Sequence, residues 1–468
     1  LKKSDFKGDL HFNEFPPVST EEWESVIEGD LKGKNYKDIL LWHTGEGIAP
    51  LPFYRSNHLE NLNHRPEPLS QKGDWVIMES IESDDLQGAN KKALHALENG
   101  ASGLKFSPLQ NFLSSKKDLE LLLKDIQVEL ISLQFGSALS TKKTIEWFKQ
   151  VCNDRDLDTD TLDVAFAIDP FAHAAALGKL PEINALRDLS KNIDRDFKIF
   201  TVDASLYANS GASIIQQLAF ALAAGNEFLG LSPKLSQNLW MNFASGPNYF
   251  LEIAKFRAFK LLWKQVLSEY GIQNAQPYIT AETAWWNKSQ TDAHTNMLRT
   301  TTEAMAAALG GCHSITVHRY DHHFNDGSSF ASRIARNTQL ILQEEAYLNN
   351  VADPGAGSYY IEKLTDAIAE KSWELFQEIE SKDGFHECLQ SGFIQEQIAQ
   401  SRTEKAEAYK EKKKILVGVN KYQPEEEIQN LELNIQNVSG FEFEEDTLIT
   451  ITKITPFNLE AELQNGEG

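Results

Sequence analysis

The sequence predicts an α/β protein: a (β/α)₈ TIM barrel with an N-terminal arm and a small C-terminal β-rich appendage. Three observations lead there. Short apolar stretches alternate with helical patterns eight times between residues 75 and 350, and each parallel crossover needs such a helix. A chain of 468 residues accommodates a barrel of roughly 250 residues with extensions. The texture also changes at both ends of that region.

Taken in order, residues 1–72 form the arm and short elements. Phe15-Pro16-Pro17-Val18 leads into a helix that Ser19 or Thr20 caps, with Glu22 close behind. Residues 55–72 carry two prolines, Pro66 and Pro68, among many polar side chains and read as the loop into a new domain. The barrel spans 73–350. Its strand candidates are Trp75–Met78, Gly103–Phe106, Val128–Leu133, Leu162–Ile168, Phe197–Val202, Leu239–Phe243, Pro277–Thr280 and Ser314–Val317. Helical patterns lie between them, among them Asp84–Asn99, Ser213–Ala224, Tyr249–Ser268, Thr291–Leu309 and Ser329–Leu348. A helical extension at 351–422 packs on the barrel through Tyr359–Ile379 and the charged Ile394–Lys414. Beyond it, 423–468 alternates like short strands at Leu431–Ile435 and from Leu448.

Composition narrows the function. A net charge of −23 opposes nucleic-acid binding, which needs a basic footprint. No apolar run approaches the ~20 residues of a membrane span, and Leu1–Leu10 lacks a signal-peptide core. The expected location is the cytoplasm. Cys152, Cys312 and Cys388 are scattered, with no Cys-x-x-Cys, as in a reducing compartment.

The most tempting chemical cluster is His313, His318, Asp321, His322 and His323, followed by Asp326-Gly327. It follows the last strand, near the rim where barrel active sites sit. Adjacent histidines in a loop point apart, however, so a polar rim is expected and no metal site. Asp321-x-His323-x-x-Asp326-Gly327 nearly spells a cobalt-ligand loop, with its glycine one residue late. No Walker loop, nucleophile elbow or His-Glu-x-x-His helix occurs.

The run Arg299-Thr-Thr-Thr-Glu303-Ala-Met305-Ala-Ala-Ala-Leu309-Gly310-Gly311 carries a resemblance. Phe330–Gln339 and Asp353-Pro354-Gly-Ala-Gly357-Ser358-Tyr359 extend it, as do His43–Ala49, Leu251–Ala258 and Val417–Tyr422. In order and spacing these resemble the methylmalonyl-CoA mutase family over most of residues 20–422. As scaffold, Thr302, Met305, Ala306 and Leu309 fall on one helical face that could lie close to a sheet. Arg333 and Arg336 stand at helical spacing from Glu344 and Glu345.

The resemblance implies a barrel whose axis, lined by small hydrophilic residues, admits acyl-CoA. It also implies radical chemistry on adenosylcobalamin held by a separate domain. This chain departs from the family at the positions that touch substrate. The histidine that hydrogen-bonds the substrate carbonyl aligns with Leu206, which cannot donate. The seventh-strand segment becomes Thr280-Ala281-Glu282-Thr283-Ala284-Trp285-Trp286, with Trp285 at the mouth where the family has glycine. A strand-eight histidine becomes Thr316, and an early arginine is replaced within Met78-Glu79.

After Tyr422 only 46 residues remain, against the roughly 100 or more of a flavodoxin-like domain. The expectation is therefore a small (beta) subunit with no catalytic, cofactor or metal residues of its own. It pairs with a catalytic alpha subunit that carries adenosylcobalamin, with a homodimer allowed for when it is isolated. The alternative is a catalytic acyl-CoA barrel that borrows a cobalamin domain from another chain.

Overall fold

The computed structural model describes residues 16–69, 73–107, 113–192, 196–273, 275–322, 324, 328–424 and 443–464. The chain divides into two compact units, Leu1–Asn61 and Leu62–Gly468. The boundary falls inside the expected arm.

The first unit holds helices α1 (Thr20–Asp30) and α2 (Tyr36–Leu40). Ser19 caps α1 in a reciprocal box: its side chain accepts from Glu22 N, and the Glu22 carboxylate accepts from Ser19 N. Within this unit Trp23 and Phe53 meet with ring centroids 4.0 Å apart.

In the second unit eight parallel strands close into a barrel. They are β1 (Val76–Ile81), β2 (Gly103–Phe106), β3 (Ser132–Phe135), β4 (Asp163–Ile168), β6 (Lys198–Asp203), β7 (Leu239–Ser245), β8 (Tyr278–Thr283) and β9 (Ser314–Thr316). All eight expected strands appear. The third is shorter than expected, because Val128–Leu130 forms a 3-10 turn ahead of it. The crossover helices are α3 (Leu86–Glu98), α4 (Lys116–Leu122), α5 (Lys142–Asp154), α6 (Pro170–Leu177), α7 (Ile183–Asn192), α8 (Ala204–Asn209) and α9 (Ile214–Leu231). They continue with α10 (Tyr249–Glu269), α11 (Thr295–Leu309) and α12 (Ser329–Glu344).

The shell core lies between strands and helices. Phe106, Phe135 and Phe166 occupy paired positions on β2, β3 and β4, and Phe135 and Phe166 face outward onto Phe148 of α5. The Phe135 and Phe166 rings stack at 4.8 Å. Helix α9 is long and apolar enough to cross a membrane, which the expectation of no such run missed. Yet 78% of that stretch is buried inside the protein, as suits a helix packed on both sides.

Two local expectations are corrected. On α11 the expected Ala306 is buried with Leu309 packed beside it, but the buried face also carries Thr300, Glu303, Ala304 and Ala307, while Thr302 is exposed. Glu303 turns inward because Lys288 meets it at 2.7 Å, and a buried carboxylate requires such a partner. Arg336 reaches across to Glu79 on β1 at 2.6 Å, not along its own helix to Glu344 or Glu345.

Beyond the barrel run α13 (Tyr359–Glu380), α14 (Gly384–Ser391) and α15 (Phe393–Lys410). The described tail contributes β10 (Leu448–Thr450) and α16 (Leu459–Gln464). Strand β10 pairs antiparallel with β5 (Lys179–Pro181), an insertion after α6. The tail therefore completes a two-stranded sheet with barrel residues. The expected strand at Leu431–Ile435 lies outside the described residues.

From β10 the tail continues across the C-terminal rim. Ile454 N donates to Ala175 O, Phe457 N to Asn209 O, and Leu459 N to Trp286 O. The Glu460 carboxylate ends the crossing by accepting from Ser289 Oγ and from the Gln290 and Thr291 amides.

Candidate functional site

Strand alternation decides which side chains enter the barrel. Contacts between strands that are not neighbours identify them. Lys105 on β2 reaches Glu282 on β8 at 3.2 Å, and Gln134 on β3 reaches Ser314 on β9 at 3.3 Å. Trp240 Nε1 on β7 donates to the Phe166 carbonyl on β4 at 3.0 Å. Tyr278 Oη on β8 donates to Asp163 on β4 at 3.2 Å.

These contacts form tiers along the axis. At the N-terminal end, Lys198 bonds Asp163 at 2.8 Å and lies 4.2 Å from the centroid of the Tyr278 ring. Burial, joined by the neighbouring Asp163 carboxylate, pushes the Tyr278 phenol well above its ordinary range. Above it come Met78 and Trp240, only 1% and 3% exposed. Gly103 leaves Met78 its room: a Cβ there would meet Met78 Cε at 2.8 Å and Val76 Cγ1 at 2.6 Å.

The C-terminal tier is charged. Asp203 caps α8 and accepts from Ser205 Oγ at 2.6 Å and Asn242 Nδ2 at 2.9 Å. Thr280 Oγ1 donates to Asn242 Oδ1 at 2.9 Å. His318 Nε2 lies 3.6 Å from the Glu282 carboxylate. Burial opposes every charge here, but Lys105 and His318 override it and hold Glu282 well below the usual carboxylate range. Burial likewise opposes the Lys105 ammonium, and the carboxylates of Glu282 and Asp203 still raise its pKa. Asp203 is raised by burial and by the neighbouring charge of Glu282. The tier thus holds one ion pair, Lys105–Glu282, beside a carboxyl whose pKa burial raises.

The expected site residues are only partly brought together. Met78, Thr280, Glu282 and Thr316 share the interior, with Thr316 in register with both Met78 and Glu282. Glu79 faces outward to Arg336. Burial raises its carboxyl against the lowering effect of that arginine. Leu206 is half-buried on α8, just past the charged tier. Trp285 is half-buried at the rim, where its amide donates to Asn209 Oδ1. Its neighbour Trp286 is the ring that packs inward, among Ala208, Tyr409, Leu416, Phe457 and Leu459.

The histidine cluster also divides. His313 lies at the N-terminal end, stacked on Tyr278 at 4.8 Å. Burial lowers it to about 4, and its Nδ1 accepts from Ile279 N, so Nε2 carries the proton. His318 and His322 stack on each other at the C-terminal end, 4.7 Å apart. His323, Asp326 and Gly327 lie outside the described residues. Among the described residues no group of three or more His, Cys, Asp or Glu side chains could hold a metal ion.

The sequence reading overlooked Lys105, Asp203, Asn242, Trp240 and Tyr278. Period-two parity could have found Lys105, Trp240, Asn242 and Tyr278, since Trp240-x-Asn242 and Tyr278-x-Thr280 alternate into the axis, whereas Asp203 lies one residue past its strand candidate. A cavity of about 720 Å³ remains at the N-terminal mouth, lined among others by Trp75, Ser132, Asp163, Lys260, Tyr278 and His313.

The family model described as methylmalonyl-CoA mutase matches residues 112–455. A methylmalonyl-CoA mutase small subunit of Porphyromonas gingivalis is 35% identical over 442 residues, covering 88% of this chain and 71% of that protein. One of Streptomyces virginiae is 29% identical over 441 residues, covering 87% and 71%. A methylmalonyl-CoA mutase of Escherichia coli is 33% identical over 478 residues, covering 90% of this chain and 66% of that protein.

Proposed function

The chain belongs to the methylmalonyl-CoA mutase family, and on that footing we propose that it is the small subunit of a heterodimeric mutase and performs no chemistry itself. The catalytic large subunit converts methylmalonyl-CoA to succinyl-CoA and carries adenosylcobalamin. One observation carries this reading: the barrel axis is occupied by the chain's own side chains. A thioester ligand threading an axis needs a clear path along it. Here Trp240 and Met78 fill the middle, and Lys105–Glu282 bridges the C-terminal tier.

Leu206 supports the same reading, because an alkyl side chain cannot polarise a carbonyl. The described residues do not fit the cobalamin group. His318 and His322 stack on one another and approach the carboxylates of Glu282 and Glu82. Phe457 of the tail packs on Trp286 at the rim. No step is therefore routed through that cofactor on this chain. Cytoplasmic placement suits the three buried free cysteines.

The alternative reading, a catalytic barrel that borrows a cobalamin domain, is favoured by the N-terminal cavity of about 720 Å³, a volume within the range of small-molecule sites. The test is co-expression with a mutase large subunit, purification of the complex, and assay of each subunit alone and together. Turnover is expected only where the large subunit is present. Turnover by this chain with an isolated cobalamin-binding domain would overturn the proposal.

A further inference from the structure

The loop that follows α15 stands apart from an otherwise acidic protein. Between residues 410 and 421 there are five lysines (Lys410, Lys412, Lys413, Lys414, Lys421) and one glutamate, Glu411, in a chain of net charge −23. Lys410, Lys412, Lys413 and Lys421 are exposed. Among them stand large apolar side chains that also face solvent: Ile415, Val417 and Tyr422, the last 71% exposed. Leu298, on the adjoining α11, is 70% exposed.

The display is rigid. Asn420 Nδ2 donates to the carbonyls of Tyr409 and Lys414, while its Oδ1 accepts from Leu416 N. Arg299 donates to the Val417 carbonyl, and Leu416 and Val419 anchor the loop in the core beneath. Lys412 and Tyr422 are held at φ 56° and 57°, a region that non-glycine residues adopt only when the surroundings impose it. A preordered apolar centre with a charged rim is the anatomy of a protein interface.

We propose that this loop, with Leu298, is a docking surface for an acidic face of the mutase large subunit; the inference rests on the small-subunit reading above. Charge selects the occupant. A twofold contact with a second copy would set the same lysines against each other, whereas an acidic partner gains both steering and register from them.

The test measures association of the full chain with a mutase large subunit by titration calorimetry at several salt concentrations. Two variants are compared with the natural chain: Lys410→Glu/Lys412→Glu/Lys413→Glu/Lys421→Glu, and Ile415→Ser/Tyr422→Asn. Thermal unfolding of each free variant controls for folding. Charge reversal is expected to weaken association at least tenfold and abolish its weakening by salt. The apolar variant is expected to weaken it at least tenfold with the salt dependence kept. Unchanged affinity in both variants would overturn the surface and leave the small-subunit reading intact. A natural chain that neither binds the large subunit nor changes its turnover overturns both. Self-association abolished by charge reversal would overturn the choice of occupant.

Discussion

Replacing Lys105 by methionine tests the charged tier directly. The side chain keeps its length but leaves the Glu282 carboxylate inside the barrel without its cation. Breaking a buried ion pair costs about 3–5 kcal/mol. Lys105 retains 21% side-chain exposure and Glu282 10%, and His318 stays 3.6 Å away, so about 2–3 kcal/mol is expected. In the natural protein Glu282 is held below its ordinary value. It therefore contributes stability that is present above the unfolded value of about 4.3 and lost as pH falls through the folded one. In Lys105→Met burial prevails and raises the carboxyl, so the deficit is larger at pH 8 than at pH 5. Adding Glu282→Gln removes the stranded charge and recovers at least half of the loss. Denaturant unfolding of the four proteins of this cycle at both pH values measures the coupling. Equal losses in the single and double variants, or a deficit independent of pH, would refute the pairing.

Trp240→Ala removes a ring that fills the axis and donates to Phe166 O; a loss of about 3–5 kcal/mol is expected, read from the unfolding midpoint. Arg257 is buried between Asp353 and Glu362. Arg257→Met strands the Asp353 carboxylate and leaves Glu362 with only His64 as an ionic partner among the described residues, and a loss of at least about 3 kcal/mol is expected, read from soluble yield and the denaturant midpoint. For His64 burial opposes protonation, but Asp366 and Glu362 raise it to about 9. This contribution is complete below the ordinary value of about 6.5 and declines as pH rises through about 9. In His64→Asn the stability decline between pH 7 and 10 should flatten, which unfolding midpoints across that range would reveal.

Much of the barrel was legible because its signals are local. Apolar runs of strand length separated by amphipathic stretches survive any change of partner. Caps such as Ser19 with Glu22 rest on hydrogen bonds three residues apart. The candidate site was less legible. Glu282 and Thr316 were singled out, but Glu79 proved to face outward. Trp285 stands half-buried at the rim, while Trp240, which was not singled out, occupies the axis and Trp286 packs under the tail. One residue of parity separates inside from outside on a strand, and parity becomes certain only when the strand is paired.

The sequence by itself determined the order of strands and helices and the family resemblance. Each depends on residue identity and short-range periodicity. Only the tertiary structure decided that Lys105 answers Glu282, 177 positions away, and that Lys198 bonds Asp163 beneath the Tyr278 ring. It also decided that the tail crosses the rim to bring Glu460 onto Ser289. Closure of the barrel creates these meetings. The partners are distant in the chain, and their charges are tolerated in the interior only because closure brings them together.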